Sequence, residues 1–187
     1  MATKAAPARR WRHEDWVDLA IAQLKAEGPA ALTLERLCVV AGRTRGSFYH
    51  HFASVDQLLA EVAARWRQTE TDAIADIAMG YPDPMAGLAA MARLTDAIDH
   101  RLERGVRFIA ASNPAIRALV EEADVRREEV MLEMLTTAYG LEHEEAKSAS
   151  RLFHALHQAA VMRSPEDIRS YTRETIRSLV AWLPKRS

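Results

Sequence analysis

The sequence predicts an all-α protein of about nine helices in two parts. Three observations point there. Apolar residues recur at helical spacing along most of the chain, no segment keeps the two-residue alternation of a strand, and Gly, Pro and capping residues punctuate the helical runs. With 187 residues, 49% hydrophobic and 27% charged, the chain suffices for one full core or two small ones and reads as a soluble globular protein.

The elements follow in order. A first helix is expected over His13 to Ala26, with Trp16, Val17, Ala20, Ile21 and Leu24 as its apolar stripe and Gly28-Pro29 as its stop. Thr33 caps the next, whose inward residues are Leu34, Leu37, Cys38 and Val40. Ala41-Gly42 makes a turn, and Thr44 caps a very short helix through His51. Ser54-Val55-Asp56-Gln57 has the form of a capping box and opens a helix that keeps its phase, unbroken, to Met79. Gly80-Tyr81-Pro82 ends it. Further helices are expected over about 84–99 and 102–111. Asn113-Pro114 opens one that stops at Gly140, and others cover 144–162 and 165–183.

Composition excludes several classes. No apolar run approaches the roughly 18–20 residues of a membrane span. The start, MATKAAPARRWRH, lacks the apolar core of a secretory signal, so a cytoplasmic protein with a basic arm over residues 1–12 is expected. A single cysteine, Cys38, rules out an intrachain disulfide and a cysteine metal cluster, and its apolar phase marks a buried thiol. Residues 1–52 carry eight Lys/Arg against five Asp/Glu, a net +3, and residues 53–187 carry seventeen against twenty-one, a net −4. A basic end on an acidic body suits a chain that presents one end to phosphate. The domains read as the arm, residues 13–60, and residues 61–187.

Two short helices joined by a tight glycine turn, followed by a third helix, form the pattern of a helix-turn-helix. Its second helix would offer Thr44, Arg45, Gly46 and Ser47, then Tyr49, His50 and His51, to a DNA groove. Arg45 can donate a bidentate pair to guanine, and Gly46 lets the backbone approach closely. Thr33, Ser47, His50 and His51 suit phosphate contacts, which position without reading sequence. Phe48 and Phe52 would face inward as anchors.

Ala41-Gly42, the run Gly46 to Phe52, and Ser54 with Leu58-Leu59 together resemble the DNA-binding domain of the tetracycline-repressor (TetR) family of transcriptional regulators. The likeness covers about residues 10–66, and the later helices fit in order and length. The resemblance implies a homodimer that binds a palindromic double-stranded DNA operator. It also implies about six C-terminal helices for dimerisation and for a small effector that changes the spacing of the recognition helices. Two positions depart from the family pattern. Arg43 stands where a small apolar residue usually packs, and either reaches phosphate or loosens the turn. Val55 stands where a phosphate-binding lysine is usual. Arg43 and the arm residues Lys4, Arg9, Arg10 and Arg12 are candidates to replace that contact.

In the C-terminal part, Leu152, Leu156, Ala159 and Ala160 on one helix form an apolar stripe. Ile168, Tyr171, Thr172, Ile176, Leu179 and Val180 form another on the last helix, and by resemblance the two make the dimer interface. Trp66, Met91, Phe108, Met131, Met134 and Phe153, with Ile98 and Leu135, are large apolar residues on middle helices. They read as core or as the lining of a site for a small hydrophobic effector, with His100, Arg107, Asn113 and His157 as polar contacts. His154 and His157 resemble half of a metal site but lack local partners, so no metal and no cofactor are expected. The acidic pairs Glu121-Glu122, Glu128-Glu129 and Glu144-Glu145 read as exposed faces. No phosphate loop, nucleophile elbow or HExxH motif is present, so no enzyme is expected. The reading is a ligand-responsive repressor. The alternative is a helical interaction protein of the same fold with weakened or lost DNA binding, favoured by Arg43 and Val55.

Overall fold

The structure, a computed structural model, describes residues 11–163 together with Glu174, Ser178 and Ala181. Nine α-helices and no strand lie within the described residues. They are α1 (His13–Glu27), α2 (Leu34–Ala41), α3 (Arg45–Tyr49), α4 (Val55–Arg67), α5 (Ala73–Met79), α6 (Pro84–Ala97), α7 (Arg101–Ala110), α8 (Pro114–Tyr139) and α9 (His143–Val161). The predicted helix over 165–183 lies outside the description but for its three isolated residues. The chain divides into two compact units, residues 1–62 and 63–187, with the division inside α4.

In unit 1 the helix ends follow local chemistry. The Asp15 carboxylate accepts from the Arg12 backbone N–H at 2.7 Å and closes the start of α1. Thr33 accepts from Arg36 N at 3.3 Å to start α2, and Thr44 accepts from Ser47 N at 3.2 Å to start α3. Gly42, at φ +61°, ends α2. Its N–H bonds Val39 O at 3.1 Å, while Arg43 N–H reaches back to Cys38 O at 2.9 Å. This paired closure demands a left-handed residue, which glycine adopts without strain. Ser54 accepts from Gln57 N at 3.1 Å, and the Gln57 side chain accepts from Ala53 N at 2.8 Å.

The core of unit 1 is aromatic. Trp16, Phe48 and Phe52 are buried with Leu24, Leu37, Leu58 and Val62. Phe48 meets Trp16 edge-on at 5.3 Å between centroids and stacks on Phe52 at 5.4 Å. These contacts fix α3 although it is only five residues long, too short to be stable alone. One expectation fails here. Val40 is 52% exposed, not inward, because the two buried positions of α2, Leu37 and Cys38, already complete the single face its eight residues can bury.

Two apolar clusters of unit 2 lie among the described residues. Ala75, Ala78, Val130 and Met134 form one with Met79, Leu88 and Met91. Leu135, Leu141 and Ala146 form the other with Met131, Leu132, Tyr139, Ala149 and Phe153. Close approach of α6 depends on Gly87, where a Cβ would stand 2.5 Å from Ala78 O and 2.7 Å from Met134 Cε. Asn113 accepts from Ala115 N and Ile116 N at 3.1 and 3.2 Å and starts α8, which Gly140 ends at φ +67°.

The expected unbroken helix to Met79 is also corrected. Residues Gln68–Asp72 form a π-helical turn between α4 and α5. Side chains take over its polar groups: Arg127 donates to Glu70 O at 3.2 Å and to Thr71 Oγ1 at 2.9 Å, and Thr69 Oγ1 donates to Arg65 O at 2.9 Å. Side-chain insertion of this kind is what breaks the regular i→i−4 ladder. Among the described residues no helix is long and apolar enough to cross a membrane.

Candidate nucleic-acid interface and charged core

The turn between α2 and α3 sets the start of α3 at the surface, and the aromatic core holds its far side. Thr44, Arg45, Gly46, Tyr49 and His50 are exposed, while Ser47 and His51 are half-buried. Gly46 is open. A Cβ there would meet only Thr44 Oγ1, at an ordinary 3.7 Å, so the fold itself does not require glycine. His51 lies edge-on to His50 at 4.9 Å and to His13 at 6.3 Å. His13 in turn stacks on Phe52 at 4.2 Å and bonds Glu61 at 2.5 Å.

Among the described residues of unit 1, two arginines of the motif pair with glutamates of the same unit. Arg45 Nη2 donates to Glu35 Oε1 at 2.5 Å, and Arg36 donates to Glu27. Arg43 is half-buried, with its guanidinium 5.8 Å over the Trp11 ring, a cation–π contact. Val55 is half-buried in the first turn of α4. Burial pushes the Cys38 thiol up from its ordinary value, as suits an inert core thiol.

In unit 2 four of the predicted lining residues pack in the two apolar clusters. Met91 and Met134 belong to one closed cluster, and Met131 and Phe153 to the other. Phe108 is 66% exposed. It lies on the outer face of α7, whose inner face is taken by Leu102, Glu103, Gly105 and Val106. Trp66 is fully buried and packs against charge, with Arg127 and Arg107 5.2 and 5.9 Å from its ring.

Those arginines belong to a buried polar cluster that local sequence patterns did not reveal. Glu103, 0% exposed, accepts from Arg107 Nε at 2.9 Å and from Arg127 Nη1 at 2.7 Å, and lies 3.2 Å from His157 Nε2. Asp124 accepts both Arg107 Nη atoms, at 2.9 and 2.6 Å, and the Gln158 amide at 2.9 Å. His154 Nε2 stands 3.3 Å from Asp124. Burial raises the Glu103 carboxyl, but Arg127, His157 and Arg107 outweigh it and hold the group well below the usual carboxylate range. Asp124 is likewise raised by burial but brought down to about 2 by His154 and Arg107. His100 is lowered, first by burial and then by His157 and Arg127.

The two histidines three residues apart thus do not act as a pair. His154 goes to Asp124 and His157 to Glu103, with His100 edge-on to His157 at 5.5 Å. Donor atoms of His100, Glu103 and His157 come within 4.8 Å of one another, which is metal-like spacing. However, Arg127 Nη1 sits 2.7 Å from Glu103 Oε1 and 3.2 Å from His157 Nε2. The guanidinium already supplies the cation, and a metal would have to expel it. A groove of about 350 Å³ between α8 and α9 shares Asp124, His154 and Gln158 with this cluster. Its other walls are Glu121, Val125, Glu128, Arg151 and Ala155, a largely charged lining.

Of the predicted interface stripe, Leu152 (48% exposed) and Ala159 face outward, Leu156 is half-buried and Ala160 is buried. Ile168, Tyr171, Thr172, Ile176, Leu179 and Val180 lie outside the described residues. The acidic pairs stand as expected except Glu128, which is half-buried and 3.8 Å from Arg151.

Residues 17–62 match the family model of bacterial regulatory proteins, tetR family. No curated protein is significantly similar in sequence. Among solved structures, the chain resembles SmeT, the repressor of the multidrug efflux pump SmeDEF of Stenotrophomonas maltophilia. The two are 24% identical, over 95% of this chain and 93% of that one, with a TM-score of 0.71. It also resembles the ketosteroid transcriptional regulator KstR2 of Mycobacterium tuberculosis, at 16% identity over 98% and 100% of the chains and a TM-score of 0.68. A third is FadR of Thermus thermophilus, a TetR-family repressor solved with lauroyl-CoA, at 15% identity over 94% and 97% and a TM-score of 0.60. At these identities the structures show the fold. The resemblance to the TetR family thus rests on the sequence of the N-terminal segment and on the all-α fold of most of the chain.

Proposed function

We propose that this chain, with its TetR-type N-terminal segment and regulator fold, is a sequence-specific DNA-binding transcriptional regulator that responds to a small ligand. One observation carries the reading. A glycine-closed turn and an aromatic anchor present Thr44, Arg45, Gly46, Tyr49 and His50 on an exposed helix whose fold does not itself need glycine at position 46. That surface has the donors and the open backbone needed to enter a major groove. The protein acts as a homodimer on an inverted repeat, since one five-residue helix reads too few base pairs for useful specificity. Leu152 and Ala159 on the outer face of α9 support self-association. Repression is relieved when the effector binds the DNA-incompetent state more tightly, and equal affinity for both states would shift nothing.

Selection of duplexes from a random library by the purified chain, at stated salt, tests this. An inverted repeat is expected. Recovery of no preferred sequence by a folded dimer would instead favour an interaction protein of the same fold. Two features favour that second reading. Residue 55 is valine, and residues 11–62 carry five Lys/Arg against seven Asp/Glu.

A further inference from the structure

We infer that Glu35 is a positioning residue that holds the Arg45 guanidinium for base reading and keeps it from indiscriminate phosphate contact. This rests on the DNA-binding reading of unit 1. Glu35 lies in the first turn of α2, where the helix N-terminus favours an acid, and Arg45 is the first residue of α3. The glycine-closed turn sets the two helix starts beside each other, and Arg45 Nη2 donates to Glu35 Oε1 at 2.5 Å. The side chains are 64% and 63% exposed, so the pair stands in solvent and is not a core contact. An exposed pair adds little to stability, which leaves orientation as its main consequence.

A guanidinium has five N–H donors in a planar fork, and this bond uses one of them. The remaining edge can still donate in parallel to an acceptor pair such as guanine O6 and N7. Free arginine side chains carry large rotamer freedom, and Glu35 removes part of it before DNA arrives. The same carboxylate repels phosphate, so it lowers affinity for DNA of any sequence. The other arginines of the motif are held elsewhere, Arg36 by Glu27 and Arg43 over Trp11. Two opposite effects of one side chain follow, and no merely structural residue would show both.

The test uses the full chain, the duplex it selects from a random library, and every single-base-pair variant of that duplex. Glu35→Ala should reduce discrimination about three- to tenfold at the one symmetric pair of positions that Arg45→Ala relaxes, part of what a bidentate arginine is worth there. Binding to random-sequence duplex should tighten severalfold, as expected for one charge fewer near phosphate. Glu35→Asp should restore part of the discrimination. Glu35→Gln, whose amide oxygen can still accept from Arg45 but carries no charge, should tighten random-sequence binding while keeping part of the discrimination. In an Arg45→Ala background the effect of Glu35→Ala on discrimination should vanish. Uniform tightening on all sequences with discrimination intact would make Glu35 a plain counter-charge and overturn the inference alone. Loss of discrimination that persists without Arg45 would overturn it too. If the wild-type chain selects no duplex, the DNA-binding reading falls and takes this inference with it.

Discussion

Glu103→Gln should destabilise unit 2 by about 3–5 kcal/mol, the usual cost of removing one partner from a buried ion pair. The carboxylate has no exposed surface and accepts from two guanidiniums, with contacts at 2.7 and 2.9 Å, while His157 lies at 3.2 Å. The amide keeps the shape but loses the charge, and its NH2 turns a donor toward donors. Arg107 retains Asp124, whereas Arg127 keeps, among the described residues, Thr71 Oγ1, the Glu70 carbonyl, His157 and the Trp66 ring. At roughly 2–4 °C per kcal/mol for a chain of this size, the thermal midpoint should fall by about 6–20 °C. Calorimetry or circular dichroism at pH 7 measures it. Because the Glu103 carboxyl is held low in the folded state, its contribution is present above the ordinary carboxylate range and is lost only as pH falls through the folded value. The difference between wild type and variant should therefore be flat from pH 6 to 8. Arg127→Met should cost much less in the Glu103→Gln background than alone, since the first change has already broken the pair. A loss under about 1 kcal/mol would refute the claim that this carboxylate is buried between two arginines.

Gly87→Ala should cost about 1–3 kcal/mol by denaturant unfolding, because its methyl would stand 2.5 Å from a carbonyl oxygen that backbone fixes in place; an unchanged midpoint would mean that α6 packs less closely. Stability should begin to fall below about pH 6.5, since His100 titrates lower folded than unfolded, so its stabilising effect is complete above the unfolded value and fades as pH falls. His100→Gln should remove that first step in urea midpoints measured against pH. A second loss should follow between about pH 4 and 2, where Asp124 takes up its proton. Deleting residues 1–10 should flatten the salt dependence of DNA binding, because Lys4, Arg9 and Arg10 are three of the eight cations in residues 1–62, and an unchanged slope would dismiss the arm.

What the sequence determined by itself was local. Thr33, Thr44, Ser54 and Asn113 announce their helices because a capping side chain bonds a backbone group two or three residues away. Gly42 and Gly140 announce ends because few other residues accept positive φ. Phe48 and Phe52 mark the anchor of α3 through helical spacing, so the helix-turn-helix and its exposed residues could be read directly. The tertiary structure decided the rest, above all where charge is buried. Arg107, His100 and His157 read from the sequence as polar contacts of a ligand site, and nothing local singled out Glu103, Asp124 or Arg127 as buried. Their partners come from Thr71 to Gln158, separations that no period encodes. The same holds for Arg43, whose Trp11 partner precedes α1, and for Met91, Met131 and Met134, which lie in two packed clusters. Periodicity shows which face of a helix is apolar, but a buried charge satisfied by a distant partner has the same local pattern as one satisfied by water.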